Sequence, residues 1–153
     1  MKILITGVAG FIGFHLAKGL CEKNYHIIGI DNLNDYYDQN LKKHRLSILD
    51  KCKNFSFFKS DLKELSAINE NFDLAIHLAA QAGVRLPESM HYKYDISNIE
   101  GFNFFLDFCE KRKINKIIYA SSSSVYGNHP IQPFVETLDL PEPVNKYAAS
   151  KMA

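Results

Sequence analysis

The chain has 153 residues, 46% of them hydrophobic and 23% charged, with 18 basic against 17 acidic side chains. That length suits one domain whose core needs no staples, and a formal net charge of +1 argues against a nucleic-acid or anionic-membrane binder working by bulk electrostatics. Cys21, Cys52 and Cys109 show no CxxC spacing, which points away from a disulfide framework or zinc knuckle and toward a reduced, cytoplasmic setting.

The first residues, MKILITGVAGFIGFHLAKGL, place one lysine before an apolar run, as a secretory signal does. Regularly spaced glycines interrupt the run and charges return at Lys18, Glu22 and Lys23, so it reads as fold rather than leader. No apolar stretch approaches the ~20 residues that span a bilayer. Lys2–Thr6 predicts a strand buried on both faces, Phe11–Glu22 a helix, Tyr25–Ile30 a second strand, and Asn40–Lys51 a charged helix. Phe55–Lys59 is a third strand, Asp61 opens a helical stretch to about Asn71, and Asp73–Leu78 is a fourth strand. A long helix from about Met90 to Lys113 carries Phe102, Phe105, Leu106 and Cys109 at helical spacing, and Lys116–Ala120 is a fifth strand. Pro130, Pro133, Pro141 and Pro143 break the pattern before a last helix from near Asn145 to Ala153. Strands alternating with helices predict an α/β fold, a doubly wound parallel sheet.

Gly7, Gly10 and Gly13 follow the first strand at once, the last two opening a helix. Free backbone N–H groups and the positive end of a helix dipole suit a diphosphate there. The GxxGxxG spacing is looser than GxGxxG and weak alone, but Asp31 lies at the tip of the second strand. A carboxylate there accepts both ribose hydroxyls of an adenosine and repels a 2′-phosphate. Asn32, Leu33 and Asn34 follow, with no arginine among them, which favours NAD over NADP. The plainer reading of Asp31 is a turn-capping residue.

Tyr147 and Lys151 lie four apart and share one helix face. A lysine ammonium close to a tyrosine hydroxyl favours the phenolate, which makes the tyrosine a general base for a substrate alcohol. YxxxK is common on ordinary helix surfaces. Ser121–Ser124 adds weight, because it stands at the carboxyl end of the fifth strand, where open α/β sheets place ligands. No GxSxG elbow surrounds these serines, which disfavours a serine hydrolase.

TGVAGFIG, DNLND at 31–35, SDL at 60–62, HLAAQAGVR, SSSSVYG and YAASK at 147–151 together resemble the extended short-chain dehydrogenase/reductase family, the NAD-dependent epimerases and dehydratases. Within it the likeness is to UDP-glucuronate 4-epimerases of capsule and lipopolysaccharide synthesis, over about the first half of such an enzyme. The resemblance implies a Rossmann-like NAD-binding domain over residues 1–153, ending before the UDP-sugar-binding region. It implies that Gly7, Gly10, Phe11, Ile12 and Gly13 surround the diphosphate, that Asp31 with Asn32 and Asn34 holds the ribose, and that Asp61 and Leu62 hold the adenine. Leu78, Ala79, Ala80 and Gln81 would line the fourth-strand end, with Asn98 and Ser121 near the nicotinamide. Ser122, Tyr147 and Lys151 would be catalytic, the last two also touching the cofactor. Ser122, Ser124 and Arg85 would meet the sugar. The implied reaction converts UDP-glucuronate to UDP-galacturonate by transient oxidation at C4 and re-reduction from the opposite face, with NAD regenerated.

Related 4,6-dehydratases carry an Asp-Glu pair after the catalytic threonine. Ser123 and Ser124 stand there in this chain, which disfavours a dehydratase. The sequence ends two residues past Lys151, so a cofactor-binding module without turnover, or one needing a partner chain, is the competing expectation. Missing strands would also leave a sheet edge uncovered. Phe102, Phe104, Phe105 and Phe108 are mostly core, and the family's habit of pairing this helix makes a homodimer a further expectation. His77 reads as a satisfied core histidine, and no histidine pair has metal spacing, so no metal is expected. Asn54-Phe55-Ser56 forms a sequon without meaning in a cytoplasmic strand, and Lys42–Arg45 reads as a solvated helix face.

Overall fold

In the computed structural model, which describes residues 1–153, the strands are Lys2–Thr6 (β1), His26–Asp31 (β2), Phe55–Lys59 (β3), Leu74–His77 (β4) and Ile117–Tyr119 (β5). They form one all-parallel sheet in the order β3-β2-β1-β4-β5. The chain winds outward from β1 to β3 and then returns to β1's other side, so the winding reverses between β1 and β4. A crevice opens there beyond the carboxyl ends of the strands.

Alternation along β1 divides the core. Ile3 and Ile5 pack with Phe14 and Ala17 of α1 (Phe11–Glu22) and with Leu46 and Leu49 of α2 (Gln39–Leu49). Leu4 points the other way, toward Leu65, Phe105 and Phe108. Cys21 and Cys109 are buried in these two clusters. Burial pushes the Cys21 thiol up to about 12, with Cys52 beside it adding to the shift. Burial also raises Cys109 to about 11, so both behave as small hydrophobes.

Three expectations need correction. The long helix is segmented into a 3₁₀ turn at Glu88–Met90, a short α3 (Tyr92–Tyr94), a π-helical turn at Asp95–Glu100 and α4 (Gly101–Lys111). Wide π turns recur at functional sites, and this one carries the buried Asn98. The helix after Asp61 is only a 3₁₀ turn at Leu62–Ala67, because Ile68 turns extended and buries. Leu106 faces outward at 38% exposure, while Phe105 and Cys109 carry the buried stripe. The two-faced burial expected of β1 holds there and extends to β2, whereas Ile117, Ile118 and Tyr119 of the edge strand β5 are all exposed. No helix is long and apolar enough to cross a membrane.

Candidate active site

The turn leaving β1 bends with Gly7 in the left-handed region at φ +72°. Its amide donates to the Ile30 carbonyl at 2.7 Å. A Cβ on Gly7 would sit 2.7 Å from the Ala79 nitrogen, and one on Gly13 would collide with the Gly7 carbonyl. The two glycines therefore let α1 start hard against the end of the sheet. Gly10 caps α1 without any side-chain hydrogen bond, so no side chain competes for the first-turn N–H groups that an anion would use.

Asp31, at the end of β2, is 8% exposed. Its carboxylate accepts the Ala9 amide at 3.2 Å and the Leu33 amide at 2.8 Å, which ties the second strand to the glycine turn. The Lys42 ammonium, from α2, stands 3.6 Å from Asp31 Oδ1 and donates to Asn34 Oδ1 at 2.9 Å. Lys42 is only 4% exposed. The expectation of a solvated face at 42–45 is thus wrong for Lys42. It also fails for half-buried Arg45, whose guanidinium donates to the Ala9 carbonyl at 3.1 Å and to Tyr37 Oη at 2.9 Å. The acidic β2 tip and the glycine turn draw both cations inward.

These groups wall a cleft of about 880 Å³, within the size range of small-ligand sites. Gly7, Gly10, Phe11, Ile12 and Gly13 line its middle. Asp31, Asn32, Asn34, Asp61 and Leu62 line one end, and Leu78, Ala79 and Ala80 lie toward the other. Asp61 also caps the following 3₁₀ turn and accepts Asn32 Nδ2 at 3.1 Å. Shape, amide donors and a ribose-sized acid suit a dinucleotide. Tyr36, Tyr37, Lys42 and Arg45 line the cleft as well, and sequence reasoning had not assigned them. The three-residue spacing of Lys42 and Arg45, which puts both on one helix face, was the available signal.

Gln81 and Asn98 do not line the cleft but bond to each other. Asn98 Oδ1 accepts the Gln81 amide at 2.7 Å, and its Nδ2 donates to the Gln81 carbonyl at 3.2 Å and to Ser150 Oγ at 2.9 Å. Ser150 in turn donates to the Tyr147 carbonyl at 2.8 Å. Asn98 therefore fastens the loop after β4 to α5 (Lys146–Met152), whose first turn is capped by Asn145 accepting the Ala148 amide at 2.8 Å.

On α5 the half-buried Lys151 donates to the Ala120 carbonyl at 3.3 Å, and Ala120 lies on the cleft wall. Burial holds the Lys151 ammonium below its ordinary value. The Tyr147 ring is half-buried, 5.9 Å from the ring of Tyr94. Ser122 accepts the Ser124 amide at 3.2 Å and donates to the Ser124 hydroxyl at the same distance, capping the 3₁₀ turn Ser123–Tyr126. Ser121 and Arg85 are exposed. The structure thus gathers the glycines, Asp31 and the β4 end around one cleft, and sets Lys151 against its rim.

His77 closes the joint between the two ends. Thr6 Oγ1 accepts the Leu78 and Ala79 amides at 3.2 Å each, so its own proton points to His77 Nδ1 at 2.9 Å. Burial first, and the Lys151 charge second, lower His77 to about 4. It is a neutral, satisfied core histidine. No group of three metal-ligating side chains comes together.

Residues 3–153 match the model of the NAD dependent epimerase/dehydratase family. The chain belongs to that family. It is 44% identical to the protein CapI of Staphylococcus aureus over 99% of this chain and 46% of that one. It is 40% identical to the UDP-glucuronate 4-epimerase of Thermodesulfobacterium geofontis, over 97% and 47%. The UDP-glucuronic acid 4-epimerase of Bacillus cereus, solved with UDP-glucuronic acid and NAD, superposes with a TM-score of 0.90 at 36% identity, over 99% of this chain and 49% of that one. The chain spans about half the length of these epimerase/dehydratase relatives. The correspondence runs through both the glycine turn and the Tyr147 end.

Proposed function

We propose that this chain is the NAD-binding, proton-transferring part of a nucleotide-sugar 4-epimerase acting on UDP-glucuronate. One observation carries the reading: a dinucleotide-sized cleft runs from the buried acid Asp31 past the glycine turn to the β4–β5 rim, where Lys151 docks on Ala120. Residues 1–153 then make up one Rossmann-like domain, and the three free cysteines support a cytoplasmic location. When bound, NAD supplies the two-electron oxidation and reduction at C4.

The protein's own groups position and deprotonate. The first-turn amides of α1 hold the diphosphate, and Asp31 accepts the ribose hydroxyls. Tyr147 takes the proton of the sugar 4-hydroxyl and returns it after the ring has turned over. Lys151 lends its positive charge to that end of α5. Ser122 and Ser124 offer hydroxyls to the sugar, and Arg85 offers a cation for its carboxylate or a phosphate.

The test is proton NMR of UDP-glucuronate incubated with the protein and NAD. UDP-galacturonate should form, and Tyr147→Phe should lower its rate by about 10²–10⁴-fold while NAD still binds. Undiminished turnover in that variant removes Tyr147 from the role of base. A second reading, a cofactor-binding module without turnover of its own, is favoured by the cleft lining, which reaches Ala120 but includes neither Ser122 nor Tyr147. It predicts NAD binding with no product.

A further inference from the structure

A carboxylate at the tip of the second strand, taken alone, is a negative charge that turns away a 2′-phosphate. Here it is not alone. Lys42 comes from a different element, eleven positions on, with its ammonium 3.6 Å from Asp31 Oδ1 and 2.9 Å from Asn34 Oδ1. The two side chains are 5% and 7% exposed, so water screens their charges little. Lys42, Asp31 and Asn34 all line the cleft. The ribose end is therefore a neutral pair rather than a bare acid.

That neutrality has a chemical consequence. The Lys42 ammonium stands over the Tyr37 ring, 5.0 Å from its centre, and one of its three donors is committed to Asn34. Two other cations line the cleft: Arg45 is engaged at the Ala9 carbonyl and Tyr37 hydroxyl, and Lys63 stands on the turn that Asp61 caps. Lys42 is thus the cation that meets whatever group stands beside Asp31. Resting on the reading of the cleft as a dinucleotide site, we propose that the Asp31–Lys42 pair sets which adenosine ribose is accepted. In this arrangement Lys42 is a 2′-phosphate receptor that Asp31 keeps occupied. Removing the acid releases the receptor; removing the lysine leaves the acid to repel.

The experiment titrates NADH and NADPH separately by fluorescence into the wild-type chain and its variants, with folding checked by circular dichroism. The quantity read is the ratio of NADPH to NADH affinity. Asp31→Asn should raise it about ten-fold or more, since a tenfold change needs only about 1.4 kcal/mol. Lys42→Met should lower it several-fold, Lys42→Arg should hold it near wild type, and the exposed Lys43→Met should leave it unmoved. In the double variant Asp31→Asn/Lys42→Met the pair is neutral again, so the ratio should return close to wild type. Added salt should shrink the gain in Asp31→Asn.

A merely structural lysine would weaken both nucleotides equally in Lys42→Met and leave the ratio alone, which overturns the proposal. So does an Asp31→Asn gain that persists undiminished in the double variant. If Asp31→Asn fails to fold, the Lys42→Met and Lys42→Arg ratios decide by themselves. Failure of wild type to bind either nucleotide overturns the cleft assignment and the proposal together; binding with unmoved ratios overturns the proposal alone.

Discussion

The two ends of the cleft are held by different means. At the nucleotide end, every residue of β1 and β2 after the first of each strand is buried, and the Asp31 carboxylate pins the glycine turn through the Ala9 amide. At the α5 end, all three residues of β5 are exposed, and the seven-residue α5 is tied by Asn98–Ser150 and Lys151–Ala120. The first end is held by an extensive packed core, the second by a few polar tethers, the buried Ala148 and the Tyr94–Tyr147 ring pair. Packing energy scales with buried area and resists single changes poorly only at its centre. A tethered element loses its place when one bond goes, with little effect on the core.

Substitutions can break that contrast. The largest effect is expected from Ile5→Ala, which empties a wholly buried position and should cost about 2–5 kcal/mol of unfolding free energy in urea titrations. A loss near zero would mean that the β1 core does not hold the molecule together.

Next comes pH. His77 titrates near 6.5 when unfolded and at about 4 when folded, so the unfolded chain binds the extra proton between those values. The stability tied to its neutral form is whole above pH 6.5 and is lost as pH falls toward 4, by up to about 3 kcal/mol. Comparing the wild type with His77→Gln, which keeps an acceptor for Thr6, isolates this part. Parallel pH profiles would refute the assignment.

Asn98→Ala should cost about 1–3 kcal/mol, because the buried Gln81 amide loses its acceptor. The effect should also be regional. Hydrogen exchange should quicken in α5 while α1 keeps its protection, and unchanged exchange in α5 would show that Asn98 is not its tether. The smallest change is expected for Ile118→Ala on β5, at 55% exposure. It should stay within about 0.5 kcal/mol of wild type, and a large loss would mean that this edge is covered.

Much of this was legible beforehand. The apolar runs and spaced glycines announced β1, α1 and β3 with their observed limits, because buried parallel strands and a glycine turn leave unambiguous local patterns. The place of Asp31 at the end of β2 was readable for the same reason. Lys42 was not: its burial depends on α2 laying one face against the β2 tip, and a KKHR run looks solvated until that packing is known. The π turn was equally invisible, since Asp95–Glu100 fits an α-helix locally. Only the reach of Asn98 to Gln81 and Ser150 shows what the wider turn does. The exposure of β5 depends on what packs over its two faces, which a tripeptide's composition does not disclose.

The glycine turn and Asp31 are proposed to hold NAD independently of the α5 end. Calorimetric titration of NAD into wild type, Gly13→Val and Tyr147→Phe tests it most directly. Wild type and Tyr147→Phe should bind NAD with similar affinity, whereas Gly13→Val, its side chain driven into the Gly7 carbonyl, should lose binding. Equal binding by Gly13→Val, or loss in Tyr147→Phe alone, would contradict it.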